Sequence, residues 1–105
     1  MKTTQQLFSY GSLQEKEVQL SIIERQLKGV SDTLQGYKKY DKKLIGKYPI
    51  IKKSSTLNDS VKGTLYQVSN LELYKIDIYE SLAYSRIAVV LNSGVKAWVY
   101  IPNFD

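Results

Sequence analysis

Two runs in the last quarter of the chain, Tyr84 to Leu91 and Val95 to Ile101, are dense in β-branched and aromatic residues, and only Asn92-Ser93-Gly94 separates them. This spacing predicts a β-hairpin, with Gly94 at the turn position that wants a positive φ. Two strands alone are marginal in water, so the rest of the chain must supply a sheet to extend them and helices to cover it.

The segments upstream answer to that requirement. Val61 to Val68 (Val-Lys-Gly-Thr-Leu-Tyr-Gln-Val) reads as a central strand, with Gly63 marking a bulge or a close approach of another backbone. Ser69-Asn70-Leu71-Glu72 matches a capping box, in which a Ser hydroxyl and a Glu carboxylate satisfy two helix-start amides. A helix is therefore expected from there, burying a side drawn from Leu71, Leu73 or Tyr74, and Ile76 or Ile78, and fading near Tyr79-Glu80. Near the start, Gln6 to Tyr10 reads as a strand running into Gly11-Ser12. Val18 with Ile22, and Leu20 with Ile23 and Leu27, then give helical spacing over Gln14 to Lys28, and Gly29 stands where a left-handed helix cap is expected. Between Leu34 and Lys53 the signals are mixed, with Gly36, Gly46 and Pro49 breaking short Tyr/Ile runs; one or two irregular strands and a long loop are expected, followed by polar turn residues from Lys53 to Ser60. The architecture that follows is α+β: a small mixed, barrel-like sheet flanked by two helices, in one domain over residues 1–105.

Composition bounds the chemistry. With 43% apolar and 11% aromatic residues the chain is too hydrophobic to be a disordered tail. It has no Cys and no His. That excludes disulfides, thiolate nucleophiles, iron–sulfur and thiolate or imidazole metal sites, and any imidazole base. Catalysis, if present, must use carboxylates, Lys, Arg, Tyr, hydroxyls or backbone amides, and no cofactor or metal is expected. No apolar run approaches the roughly 18 residues of a membrane span, and Met1 to Gln6 does not open a signal peptide. The plain expectation is a cytoplasmic protein without a membrane association.

The net charge of +5 is concentrated in one segment, since Lys28 to Lys53 carries eight Lys against Asp32 and Asp41. Lys38-Lys39-Tyr40-Asp41-Lys42-Lys43, with Tyr37 and Tyr48 interleaved, has the composition of a nucleic-acid patch, in which Lys meets phosphate and aromatics stack on bases. A solvated loop with its Tyr side chains turned inward has the same composition. Only two of the fifteen basic residues are Arg, the side chain suited to bidentate base reading, which disfavours nucleic acid as a partner.

Three features could carry chemistry. Tyr10-Gly11-Ser12-Leu13 joins a strand to a helix, so consecutive backbone amides there could form an anion-binding nest, or serve simply as a turn. Glu80 sits between Ile76-Asp77-Ile78-Tyr79 and Ser81-Leu82-Ala83-Tyr84, an apolar neighbourhood for a carboxylate. Burial there would raise its pKa from about 4.3 toward neutrality and make it a usable acid or base. Arg86 is open to three readings: charge partner of Glu80, clamp for a substrate carboxylate, or member of a structural ion pair. Asp77 is expected to cap or pair locally.

The order of these pieces is more specific than any one of them. Leu7-Phe8-Ser9-Tyr10-Gly11-Ser12-Leu13, then Val61 to Val68, Ile76-Asp77-Ile78-Tyr79-Glu80, Tyr84-Ser85-Arg86 and Ala97-Trp98-Val99-Tyr100 together resemble the gamma-glutamylcyclotransferase-like family, and Tyr48-Pro49 falls where members often carry that pair. The resemblance implies a small mixed barrel flanked by helices. It implies that Tyr10, Gly11, Ser12 and Leu13 border the pocket for the γ-glutamyl group, that Tyr84 and Arg86 belong to substrate binding, and that Glu80 is the catalytic acid/base. Ser81 stands where many members have Gly.

The implied reaction suits the inventory. The substrate's own α-amine attacks its δ-carbonyl, closing 5-oxoproline and expelling an amine, so no protein nucleophile is needed. A Glu raised by partial burial can take the proton from the α-ammonium, of pKa about 8, and return it to the leaving nitrogen. The amides from Gly11 to Leu13 are candidates to hold the oxyanion. The expected partner is thus a small γ-glutamyl amine or peptide, with the protein a monomer or a homodimer. Two alternatives belong to other classes: a non-catalytic member that binds a small acidic ligand, and a basic module that binds nucleic acid or another anion.

Overall fold

The computed structural model describes residues 4–44, 48–81 and 83–103, and side chains outside positions 41–49. Tyr48-Pro49 as a side-chain pair, Gly46, Lys47, Leu82, and the side chains of Asp41, Lys42 and Lys43 in the basic run therefore lie outside the described residues. Seven strands and two helices follow in the order β1 (Thr4–Ser9), α1 (Lys16–Ile23), β2 (Gly29–Gln35), β3 (Tyr37–Leu44), β4 (Tyr48–Lys53), β5 (Ser60–Ser69), α2 (Asn70–Glu80), β6 (Tyr84–Val90) and β7 (Lys96–Pro102), with a 3-10 turn at Ser12–Gln14 between β1 and α1.

Five strands form one curled sheet in the order β2-β5-β1-β7-β6, and β3 and β4 pair as a separate ribbon. All pairings are antiparallel except β1 with β7, joined in parallel at Leu7 and Trp98. The sheet's two edges come within reach of each other: the Asn92 amide, just past β6, donates to the Thr33 carbonyl of β2 at 2.8 Å. This is the mixed, barrel-like α+β arrangement expected from the sequence.

The central strand β1 is buried on both faces, with Leu7 and Phe8 fully inaccessible. On one face Leu7 packs with Tyr66, Val68, Tyr84 and Tyr100 beneath Leu73 and Ile76 of α2 and Ile23 of α1. On the other, Phe8 packs with Leu34, Val61, Ala97 and Val99, and the β3–β4 ribbon closes over them through Tyr37 and Ile51. Side chains of this size each contribute about 1.5–3 kcal/mol when fully buried.

The hairpin and the second helix form as their local signals predict. Gly94 has φ of 91°, and the Ser69 hydroxyl and Glu72 carboxylate make both bonds of the capping box. From the candidate buried side of α2 the fold selects Leu73 and Ile76, leaving Leu71, Tyr74 and Ile78 exposed. Gly63 is a close-approach glycine, since a Cβ there would lie 2.4 Å from the Ser9 carbonyl oxygen.

The first helix departs from its expected length. It ends at Ile23, with Glu24 rather than Gly29 in the left-handed cap, at φ of 61°. Leu27, which continues the helical spacing, is buried from the following loop, its amide donating to the Gln19 side chain. Gly29 instead begins β2, where a Cβ would meet the Thr64 methyl at 2.4 Å. The strand β2 itself occupies sequence that carries no alternating pattern, because Gly29 to Asp32 are largely exposed on an edge and pairing with β5 makes the strand. Downstream, the expected irregular strands form the β3–β4 ribbon, with a shift of register between Tyr40 and Lys43.

Candidate active site

The end of β1, the 3-10 turn, the last residue of α2 and the β6–β7 pair meet around one cavity, lined by Phe8, Ser9, Tyr10, Gly11, Ser12, Glu80, Tyr84 and Tyr100. Each element delivers its residue for a local reason. The 3-10 turn closes with the Gln14 amide on the Gly11 carbonyl at 3.1 Å and the Glu15 amide on Ser12 at 2.9 Å. Among the described residues the Ser12 and Leu13 amides donate to no protein acceptor, as the first amides of a helical turn commonly do not. Tyr84 and Tyr100 project from the same face of β6 and β7, two and zero residues from the Arg86–Tyr100 cross-strand pair.

Glu80 is partly buried at the C-terminal end of α2, and loss of water around it raises its pKa to about 7. Its charge is felt across the cavity. The Tyr10 phenol is held well above its ordinary range, first by its own burial and then by Tyr84 and Glu80. The Tyr100 phenol is raised by burial and by its bond to Asp77, with Glu80 adding to the effect. Both phenols thus stay protonated and serve as donors. The Tyr10 hydroxyl donates a hydrogen bond to the Tyr100 carbonyl at 2.7 Å, and Tyr100 donates to Asp77 Oδ1 at 2.6 Å. The Ser12 and Tyr79 hydroxyls share a bond of 3.0 Å, tying the turn to the helix that carries Glu80.

Of the residues singled out in the sequence, Tyr10, Gly11, Ser12, Tyr84 and Glu80 line the same cavity. Leu13 does not: its side chain is buried in the core under α1 and α2. Arg86 pairs with Asp77 rather than Glu80, Nε to Oδ1 at 2.9 Å and Nη2 to Oδ2 at 3.0 Å, with its guanidinium 4.2 Å from the Trp98 ring. It borders an adjoining open depression that shares Tyr84 and Tyr100 with the first cavity. A carboxylate with these properties, beside the Gly11–Ser12 turn, can exchange a proton near neutral pH with a bound ligand while a backbone amide of that turn receives an oxygen carrying negative charge.

Two contributors escaped the sequence reading. Tyr100 stands in the sequence as part of a strand motif, and its reach to Asp77 spans a separation that no local pattern encodes. Gln19, buried to 2% exposure, donates to the Leu13 carbonyl at 2.8 Å and accepts from the Leu27 amide at 2.7 Å, fastening the cavity loop to the chain after α1. A polar residue amid helical apolar spacing was the available signal. Lys39 is the described basic residue of the Lys-rich run that approaches the cavity, its Nζ 3.5 Å from the Tyr10 carbonyl oxygen. Among the described residues no group of three or more His, Cys, Asp and Glu is placed to hold a metal ion, and no helix is long and apolar enough to cross a membrane.

Comparison with known proteins gives a consistent picture. The family described as gamma-glutamyl cyclotransferase, AIG2-like matches residues 7–104. A Methanocaldococcus jannaschii protein, named as a gamma-glutamylcyclotransferase and candidate RNase, is 32% identical over 99 residues; the match covers 90% of this chain and 44% of that protein, so the chain spans less than half of its relative's length. A solution structure from Arabidopsis thaliana superposes with a TM-score of 0.82 at 30% identity, covering 97% of this chain and 64% of the other. A structure named gamma-glutamyl cyclotransferase superposes at 0.77 and 19% identity, covering 95% and 67%, a likeness of fold.

Proposed function

Because the chain belongs to the gamma-glutamyl cyclotransferase, AIG2-like family, we propose that it is an enzyme that releases 5-oxoproline from a γ-glutamyl amine or γ-glutamyl peptide, with Glu80 as general acid/base. The observation that carries this reading is the shared cavity: a carboxylate raised to about 7 by burial faces the Gly11–Ser12 turn.

The γ-glutamyl group lies folded in the cavity against Tyr10, Gly11, Ser12 and Tyr84, with its α-amine near its own δ-carbonyl. Such orientation is worth up to roughly 7–11 kcal/mol in well-aligned systems. Glu80 as carboxylate takes a proton from the α-ammonium, and the freed amine attacks the δ-carbon. The carbonyl oxygen becomes an oxyanion that the Ser12 and Leu13 amides stabilise. Collapse of the tetrahedral species breaks the bond to the leaving nitrogen as it receives the proton from Glu80; Glu80 then takes the surplus proton left on the ring nitrogen and passes it to the departing amine, so the lactam nitrogen ends neutral and the amine leaves as an ammonium. Glu80 returns to its starting state, and the reaction as written needs neither metal nor redox group. A pKa near 7 suits a group that must accept a proton in one half of the cycle and give it back in the other.

The test is incubation of the purified chain with a panel of γ-glutamyl amines, amino acids and peptides, following 5-oxoproline by mass spectrometry. Glu80→Gln is expected to lower turnover by about 10²–10⁴-fold. Turnover that survives that change overturns the role of Glu80. No product from any substrate, together with ligand affinity indifferent to Glu80→Gln, overturns the enzyme in favour of a binding member of the family.

A further inference from the structure

The mechanism leaves one built feature unused. Asp77 precedes Glu80 by one helical turn, a spacing that puts the two side chains on neighbouring parts of the same face, with Cβ atoms about 5–6 Å apart. Left alone, two carboxylates so placed would each oppose the other's ionisation. Asp77 is not left alone. Its Oδ1 accepts from Arg86 Nε and from the Tyr100 hydroxyl, and its Oδ2 accepts from Arg86 Nη2. Arg86 and Tyr100 are directly opposed on β6 and β7, so one cross-strand pair grips one carboxylate. Behind them Trp98 stacks on the guanidinium, and its indole N–H donates to Gln5, whose own amide donates to Asn70 at the start of α2. Both ends of α2 are thereby fastened to the sheet.

We propose that the Asp77–Arg86 pair is a positioning clamp for Glu80: it holds the last turn of α2 against β6 and β7, and it cancels the Asp77 charge one helical turn from the Glu80 carboxylate. This inference deepens the reading of Glu80 as acid/base and rests on it for its use, while its test does not require turnover. The other groups around Glu80 are left unchanged in charge by substitutions in this pair. Tyr10, just past β1, and Tyr100 on β7 remain protonated. Tyr84 of β6 lines the cavity, and Tyr79 of α2 bonds Ser12. Lys39 of β3 sits on the Tyr10 carbonyl, and its contribution is common to every variant of the clamp.

Charge cancellation makes a prediction of sign that packing cannot imitate. Arg86→Gln leaves the Asp77 charge bare, so the ionisation midpoint of Glu80 rises, by on the order of one pH unit. Asp77→Asn leaves the Arg86 charge bare, so the midpoint falls by a similar amount. The double variant Asp77→Asn/Arg86→Gln restores neutrality and brings it back to within a few tenths, and Arg86→Lys, which keeps the charge, holds it there as well.

The measurement is a titration of the Glu80 side-chain carboxyl carbon by NMR in each folded variant, the resonance being assigned by its loss in Glu80→Gln. Opposite shifts in the single variants with recovery in the double support the clamp. Midpoints that stay fixed, or that move in the same direction in both single variants, overturn it. Opposite shifts in a chain that turns over no γ-glutamyl substrate would retain the clamp and sink the proposed reaction, so the two failures are separable.

Discussion

A carboxylate held near pKa 7 is a stability defect above that pH, and its size follows from the shift. Glu80 moves from an ordinary 4.5 to about 7 through burial. At about 1.36 kcal/mol per pH unit, this amounts to about 3 kcal/mol. The folded protein binds this proton more tightly than the unfolded chain, so the contribution is fully present below the unfolded pKa, is lost as pH rises through about 7, and is flat beyond about 8. Glu80→Gln removes the titration while keeping the shape and polarity of the side chain. The variant should therefore match the wild type near pH 4 and exceed it by about 2–3 kcal/mol at pH 8, which for about a hundred residues is roughly 10–20 °C in Tm. The assay is urea unfolding of both proteins at pH steps from 4 to 9, read as the difference in free energy at each pH, so that every other titrating group cancels. A difference that is flat across pH 5 to 8, or a variant less stable at pH 8, would refute the argument from burial. Together with lost turnover, a stabilised Glu80→Gln would mark this position as one where function is kept at the expense of stability.

Two further perturbations probe the frame around the cavity. Gln19→Leu orphans the Leu13 carbonyl and the Leu27 amide in a buried place, and should cost about 2–4 kcal/mol by denaturant titration, with Gln19→Glu failing to restore the donor. Gly63→Ala pushes a methyl against the Ser9 carbonyl oxygen and the Phe8 ring, and should cost at least about 1–3 kcal/mol, whereas Gly94→Ala, which meets open space and only a positive φ, should cost about 1 kcal/mol.

Much of the frame was legible where the determining interaction is local. The capping box at Ser69 and Glu72, the Gly94 turn and the alternation in β5 each involve partners a few residues apart, so composition and spacing carry them. Reading failed where another segment decided. Leu27 keeps helical spacing yet is buried from a loop, because the Gln19 side chain recruits its amide. Gly29 looks like a helix cap and is in fact the point where β2 crosses Thr64 and Tyr66. β2 carries no strand pattern of its own and exists because β5 offers it an edge. At the cavity, Tyr10, Gly11, Ser12, Tyr84 and Glu80 were nameable in advance by motif, whereas the Arg86 partner was open among alternatives, and the grip of Tyr100 on Asp77 was invisible.

By itself the sequence determined what chemistry was available and where elements start and stop. Without Cys or His, acid/base work falls to groups such as carboxylates, and caps and turns are satisfied by near neighbours whatever the rest of the chain does. The tertiary structure decided how far each carboxylate's ionisation moves. Glu72 and Glu80 stand at the two ends of the same helix. Arg25, from the loop after α1, bonds Glu72 and holds its pKa below the ordinary range. Glu80 is partly buried beside three tyrosines and pushed up to about 7. The difference is desolvation: the apolar neighbours of Glu80 in the sequence pointed to it, but how far water is displaced is set by Tyr10, Tyr84 and Tyr100, which only the fold brings to one cavity.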